Sequence, residues 1–189
     1  LVELKDTQRS GRFFFSGGRP IEPLKDSALR LALEIAAVCN NAGLVSEKRK
    51  QGEQKWNFIG DPTEGALMSA SVRASLTPDV LASLYYRIDE IPFDSDRKCM
   101  SVVCSNKRNA TFVFTKGAPD MLLKKCTCAY QSKGITALSS ELKAKITKAN
   151  DAMAEDALRV IALAYKELDS LAYNKDGLES GLIFVGLMG

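Results

Sequence analysis

Between residues 26 and 40 the sequence reads as a helix with almost no polar side. Asp26 or Ser27 can cap its start. Its only charges are Arg30 and Glu34, and Leu29, Leu31, Leu33, Ile35 and Val38 cover most of its circumference. A helix of this kind is stable only when nearly enclosed, so the segment belongs to a core and not to a site. The chain of 189 residues can supply that enclosure, since one of this size buries roughly 70% of the surface its unfolded form exposes.

The rest of the pattern gives the elements around it. An extended start at residues 1–5 precedes a Gly-rich turn at residues 17–20. Residues 45–55 are polar and read as a surface loop, and residues 56–59 read as a strand that turns into a helix with Pro62 in its first turn. Thr77 caps a short helix predicted over residues 78–85. Apolar-polar alternation then replaces helical spacing at residues 87–93, 100–104 and 111–115, which predicts three neighbouring strands and hence an antiparallel sheet. Pro119 opens another helix to about Lys125, with Asp120 complementing its dipole. Ser139 or Ser140 caps a longer one, with Leu142, Ile146, Ala149, Met153 and Ala157 on one face. Strands are predicted at residues 159–165 and 182–187. No repeat, low-complexity tract or long linker divides the chain, and the expectation is one α+β domain, an antiparallel sheet flanked by helices.

Composition excludes several functions. The chain has no histidine, so Ser-His-Asp and Cys-His catalysis and most catalytic zinc sites are improbable. A net charge of +3 does not indicate a nucleic-acid-binding surface. Charge is uneven, however: residues 97–133 hold eight Lys and Arg against one acid, Asp120. That balance suits a polyanion such as a nucleoside triphosphate, and equally a solvated basic face. The five cysteines lack the spacing of a disulfide framework and read as free thiols of a reducing compartment. Cys126 and Cys128 have no second pair or histidine to complete a metal site. Residues 109–111 fit a glycosylation sequon, which has no meaning in a cytosolic protein. No stretch approaches the ~18 apolar residues of a membrane span, and the chain, lacking an initiating methionine or signal peptide, reads as an excised piece.

Gly60 and Gly65 have the separation of P-loop glycines, but Ala66-Leu67 stands where Lys-Ser or Lys-Thr must be, and no Gly-x-Gly-x-x-Gly fingerprint occurs elsewhere. A nucleotide would need another architecture. Four strings supply one: GDPTEGAL at residues 60–67, PFDSDRKCMSVV at 92–103, FTKGAPD at 114–120 and LRVIALAYK at 158–166. In order and spacing they resemble the nucleotide-binding domain of P-type cation-transporting ATPases, especially calcium pumps of the sarco/endoplasmic-reticulum and secretory-pathway type. The resemblance extends over nearly the whole chain, with residues 1–5 and 183–189 resembling hinge segments toward a phosphorylation domain that is absent here, as are the aspartyl-phosphate motif and the family's magnesium-binding motifs.

The resemblance implies an ATP-binding set. Phe93 matches the aromatic that stacks on adenine, and a core phenylalanine at a strand end is the plainer alternative. Glu64 matches the carboxylate that accepts from the adenine amino group, and Lys116 the lysine deep in the pocket. Gly117 and Ala118 would let the backbone approach the base. Lys98 and Arg159 match cations that meet the phosphates, and Ile161, with Met100, would form an apolar wall. Ser95 departs from the family, where many calcium pumps carry arginine two residues after the stacking phenylalanine. Arg97 substitutes only if its side chain turns toward the pocket.

What this implies is the cytosolic ATP-binding domain of a cation pump, calcium by resemblance, that holds adenine and presents the γ-phosphate to an aspartate on another domain. Magnesium would arrive with ATP, and no residue here is expected to be catalytic or to ligate metal. The expected partners are ATP or ADP and the pump's phosphorylation and actuator domains, with no nucleic acid. The segment would be a soluble, monomeric part of an integral membrane pump, at the membrane's cytoplasmic face, and unable to hydrolyse ATP alone. The alternative is a stand-alone regulatory module of the same fold that binds a nucleotide or a protein.

Overall fold

The structure, a computed structural model, describes residues 2–7, 10–15, 18–48, 54–131, 134–169 and 173–189. Asp26 accepts the Leu29 N–H at 2.9 Å and so caps α1 (Ser27–Val38). From Ala32 to Val38 every residue of this helix is buried. Its two charges are reconciled inside the fold, because Arg30 donates to Glu34 at 2.8 Å and the Tyr85 hydroxyl donates to the other Glu34 oxygen at 2.8 Å. The enclosure demanded by the sequence is thus met without an unpaired buried charge.

Among the described residues the enclosing frame is a seven-stranded sheet. Its strands are β6 (Tyr85–Asp94), β7 (Cys99–Asn106), β8 (Thr111–Gly117), β9 (Cys126–Gln131), β10 (Gly134–Ala137), β11 (Ile161–Leu168) and β12 (Leu182–Met188), in the order β10-β9-β12-β11-β8-β7-β6. The three strands read from alternation are neighbours and antiparallel. One correction applies: β12 enters between β9 and β11, runs antiparallel to β11, and therefore runs parallel to β9, making the sheet mixed. Strands β9 and β10 escape the sequence reading because they are short and show no sustained apolar-polar alternation.

On one face, α1 and α2 (Pro62–Arg73) pack with Met100, Val102, Cys104, Phe114 and Leu163. On the other, α4 (Pro119–Lys125) contributes Leu122 and Leu123 against Ala162, Ala164, Leu182 and Phe184, with Leu142 and Ile146 of α5 (Ser140–Glu155) partly buried beside them. Strand β7 is covered on both faces, which is why it is buried from Cys99 to Ser105. The α5 face ends sooner than predicted: Ala157 lies past the helix at a positive φ of 58°.

The remaining elements are α3 (Pro78–Leu84), capped by Thr77, a 3₁₀ turn (Lys175–Gly177), and two small antiparallel sheets. One sheet joins β1 (Val2–Thr7), β2 (Ser10–Phe15) and β3 (Pro20–Ile21). The other pairs β4 (Gly43–Lys48) with β5 (Gln54–Ile59). This hairpin corrects the loop reading of residues 45–55, of which 49–53 lie outside the described residues. A two-stranded ribbon pairs its inward-facing backbone groups across one ladder and leaves the outward-facing ones to other partners, so apolar alternation is not needed for the pairing to form. No described helix is long and apolar enough to cross a membrane.

Candidate functional site

A cleft of about 660 Å³ opens where the start of α2, the β6–β7 turn, the end of β8 and the approach to β11 converge. Pro62 stands at the first position of α2, and Asp61 caps the helix by accepting the N–H groups of Thr63 at 2.8 Å and Glu64 at 3.1 Å. The Glu64 amide, with that of Thr63, holds the Asp61 carboxyl below the usual carboxylate range, and the charge of Arg159 adds to this. Asn40 ties α2 to the end of α1 by donating to the carbonyls of Ala36 at 3.0 Å and Glu64 at 2.9 Å. Glu64 is thereby set on the cleft wall.

At the inner end the Glu64 carboxylate receives the Lys116 ammonium at 2.5 Å and the Asn41 N–H at 3.3 Å. Lys116 is a buried residue on β8, beside Met100 in register on β7. Met100, 2% exposed, belongs to the core and forms cleft floor. Asn41 also donates to Glu90 at 3.0 Å and accepts from Arg87, placing a polar network at one margin that no sequence motif singled out.

The outer end is different in character. Phe93, near the end of β6, is 64% exposed. It is therefore not the core phenylalanine that was its alternative. Lys98 closes the β6–β7 turn at a positive φ of 49°, with its carbonyl accepting the Ala118 N–H at 2.9 Å. Gly117 has a reason the sequence did not reveal: a Cβ there would stand 2.5 Å from the Lys98 carbonyl oxygen and 2.6 Å from Cys99 Cβ. Its role in the fold is the close crossing of β7 and β8, whatever approaches it from the cleft. Arg159 and Val160 lie in the connection before β11, whose first residue is Ile161, and all three line the cleft.

Glu64, Phe93, Lys98, Met100, Lys116, Gly117, Ala118, Arg159 and Ile161 thus share one cleft. Asp61, Thr63, Leu67 and Pro92, which lie in the matched strings without an assigned role, join them, as do Asn41 and Glu90, which lie in none. Ser95 also lines it, but Arg97 turns elsewhere, donating to Glu179 at 2.5 Å and to the Pro92 carbonyl at 2.6 Å. Arg97 does not take the place left by Ser95. Among the described residues no three His, Cys, Asp or Glu side chains gather as metal ligands.

Chemically the cleft offers an exposed aromatic ring, an ion pair at its inner end and two exposed cations at its mouth. The family model described as P-type ATPase, cytoplasmic domain N, matches residues 28–189. Over 85% of its length the chain is 39% identical to calcium-transporting ATPase 1 of Bacillus cereus, covering 17% of that protein. It is 34% identical over 85% of its length to the calcium-transporting ATPase of Bacillus subtilis, covering 18%. With calcium-transporting ATPase type 2C member 1 of Pongo abelii the identity is 31% over 91% of the chain and 17% of the relative. The chain spans less than a fifth of the length of these relatives.

Proposed function

The chain belongs to the family of P-type ATPase cytoplasmic N domains, and from that premise we propose that its cleft binds ATP for a calcium pump. The observation that carries this reading is the exposed Phe93 ring, which lines one cleft together with the Glu64–Lys116 pair and the Lys98 and Arg159 cations. An apolar ring left 64% in solvent is accounted for by an adenine stacked on it, a contact of about 1–3 kcal/mol by analogy with base stacking elsewhere. The Glu64 carboxylate, fixed by Lys116 and Asn41, keeps unused lone pairs for the adenine amino group. Lys98 and Arg159 meet the phosphates, Arg159 with a fork suited to two oxygens.

In this reading the 189 residues act as one nucleotide-binding domain, with residues 1–5 and 183–189 leading toward the hinges, the second of them from within the sheet as β12. The domain grips base and sugar, and the γ-phosphate is presented to an aspartate on the phosphorylation domain. Phosphoryl transfer asks chiefly for positioning and charge neutralisation, so the grip can be separate from the nucleophile. Magnesium accompanies the nucleotide. The chain is a monomeric part of a membrane enzyme at the cytoplasmic face and turns over no ATP alone.

Calorimetric titration with ATP, ADP and GTP tests the proposal. ATP and ADP are expected to bind weakly and comparably, GTP more weakly, and Phe93→Ala to weaken ATP with the fold intact. Unchanged ATP affinity in Phe93→Ala contradicts it.

A further inference from the structure

Glu179 is a buried carboxylate that neither the cleft nor the hinge reading uses. It stands between the 3₁₀ turn and β12, 9% exposed. One oxygen accepts from Arg97 Nη1 at 2.5 Å and Ser101 Oγ at 2.9 Å, and the other accepts from Lys125 Nζ at 3.2 Å and the Cys99 thiol at 3.4 Å. Burial raises the Glu179 pKa, but hydrogen bonds from Arg97 and Ser101, the Arg97 charge and Lys125 bring it below the usual carboxylate range. Glu179 is therefore an anion at neutral pH, bound from four sides.

The Arg97 guanidinium is held by Glu179 at one nitrogen and donates from its other nitrogen to the Pro92 carbonyl at 2.6 Å. It straps the β6–β7 turn across its base. Phe93 follows Pro92 and Lys98 follows Arg97, and both line the nucleotide cleft, while neither Glu179 nor Arg97 does. Inside the turn, Asp94 caps the N–H groups of Asp96 and Arg97, each at 2.9 Å, and its carbonyl accepts the Lys98 N–H at 2.7 Å. Those bonds fix the turn's shape. The Asp94–Cys99 pairing and the Ala118 N–H bond to the Lys98 carbonyl anchor the turn's far side. Pro92 and Phe93, however, fall where the β6–β7 register shifts between Ile91 and Asp94, and the exposed Phe93 ring has little packing to hold it there.

We propose that Glu179 is a positioning residue for the nucleotide cleft, acting through Arg97 to hold the turn that carries Phe93 and Lys98. The inference rests on the reading of the cleft as an ATP site. A buried ion pair contributes little net stability against a well-packed apolar substitute, so geometry is the better reason for keeping a carboxylate here. Arg is the residue the arrangement needs, because only a planar fork reaches an anion and a carbonyl together.

The test uses the full chain with Glu179→Gln, which keeps the shape and removes the charge, and Arg97→Lys, which keeps the charge and loses the fork. Each is made alone and with Phe93→Ala, with thermal unfolding confirming the fold. Each single variant is expected to weaken adenosine by roughly three- to tenfold through Phe93, and ATP by at least as much because Lys98 moves with the turn. Where Phe93 is already alanine, the further loss of adenosine affinity should be under about twofold, as for residues acting through one contact. Wild-type affinity in either folded variant overturns the inference, and so does an undiminished loss in the Phe93→Ala background, the mark of a general structural role. A wild-type chain that binds no ATP overturns the function reading and this inference with it, whereas Phe93-dependent binding indifferent to Glu179 overturns this inference alone.

Discussion

The Lys116 ammonium and the Glu64 carboxylate meet 2.5 Å apart at the inner end of the cleft, joining β8 to the first turn of α2. In the proposed function an adenine amino group shares Glu64 with this ammonium and with the Asn41 N–H. The two residues therefore act as a unit. Glu64→Ala and Lys116→Ala are each expected to weaken ATP binding, with the double variant losing less than the sum and a coupling of about 0.5–3 kcal/mol. Calorimetry on the four proteins of the cycle measures this, and additive losses contradict it.

At the mouth, Lys98→Ala and Arg159→Ala should weaken ATP more than adenosine, because both cations are exposed and their proposed partners are phosphates. Their contribution should shrink as salt rises past ~0.15 M, where the Debye length is about 8 Å, while the Phe93 contribution should hardly change. Affinities for ATP and adenosine across a salt series decide this. Equal losses for both ligands in the two variants refute the phosphate assignment.

Gly117→Ala is expected to destabilise the fold by about 1–3 kcal/mol, the usual cost of overpacking. The added Cβ would meet Lys98 O at 2.5 Å and Cys99 Cα at 2.9 Å, and backbone cannot step aside as a flexible side chain can. Denaturant unfolding reads the change, and an unshifted midpoint contradicts it.

These contacts mark where the sequence was readable and where it was not. Asp26, Thr77, Ser139 and Pro62 announce their helices because capping and proline chemistry are local. The strands at Arg87, Met100 and Thr111 show in alternation because a pleated strand has a period of two. The parallel β9–β12 pairing and the Arg97–Glu179 contact depend on residues far apart in the chain, 82 positions in the last case, whereas the β4–β5 hairpin is local but has no apolar alternation to announce it. The nine cleft residues came from matching strings, whereas Asn41 and Glu90, which belong to none, emerged only when the fold brought α1 and β6 together.

Burial raises the Cys39, Cys104 and Cys126 thiols to about 12 and Cys99 to about 11. Cys128 is only half-buried. A thiol reagent at pH 8 should therefore modify Cys128 first and the other four only through unfolding. The raised values also set a sign: the unfolded thiols ionise from about pH 9 while the buried ones stay protonated, so stability should fall as pH rises from about 9 toward about 12. Mass spectrometry of the labelled chain and unfolding midpoints against pH check both. Rapid modification of Cys39 in the folded protein contradicts the burial account.

The most direct test of the central claim is a backbone NMR titration of the chain with ATP. The account predicts saturable shifts concentrated at the amides of Glu64, Phe93, Lys98, Lys116, Gly117 and Ala118, with β10 and α5 unmoved and no ATP hydrolysed. Shifts that gather elsewhere, or a spectrum indifferent to ATP, would contradict it.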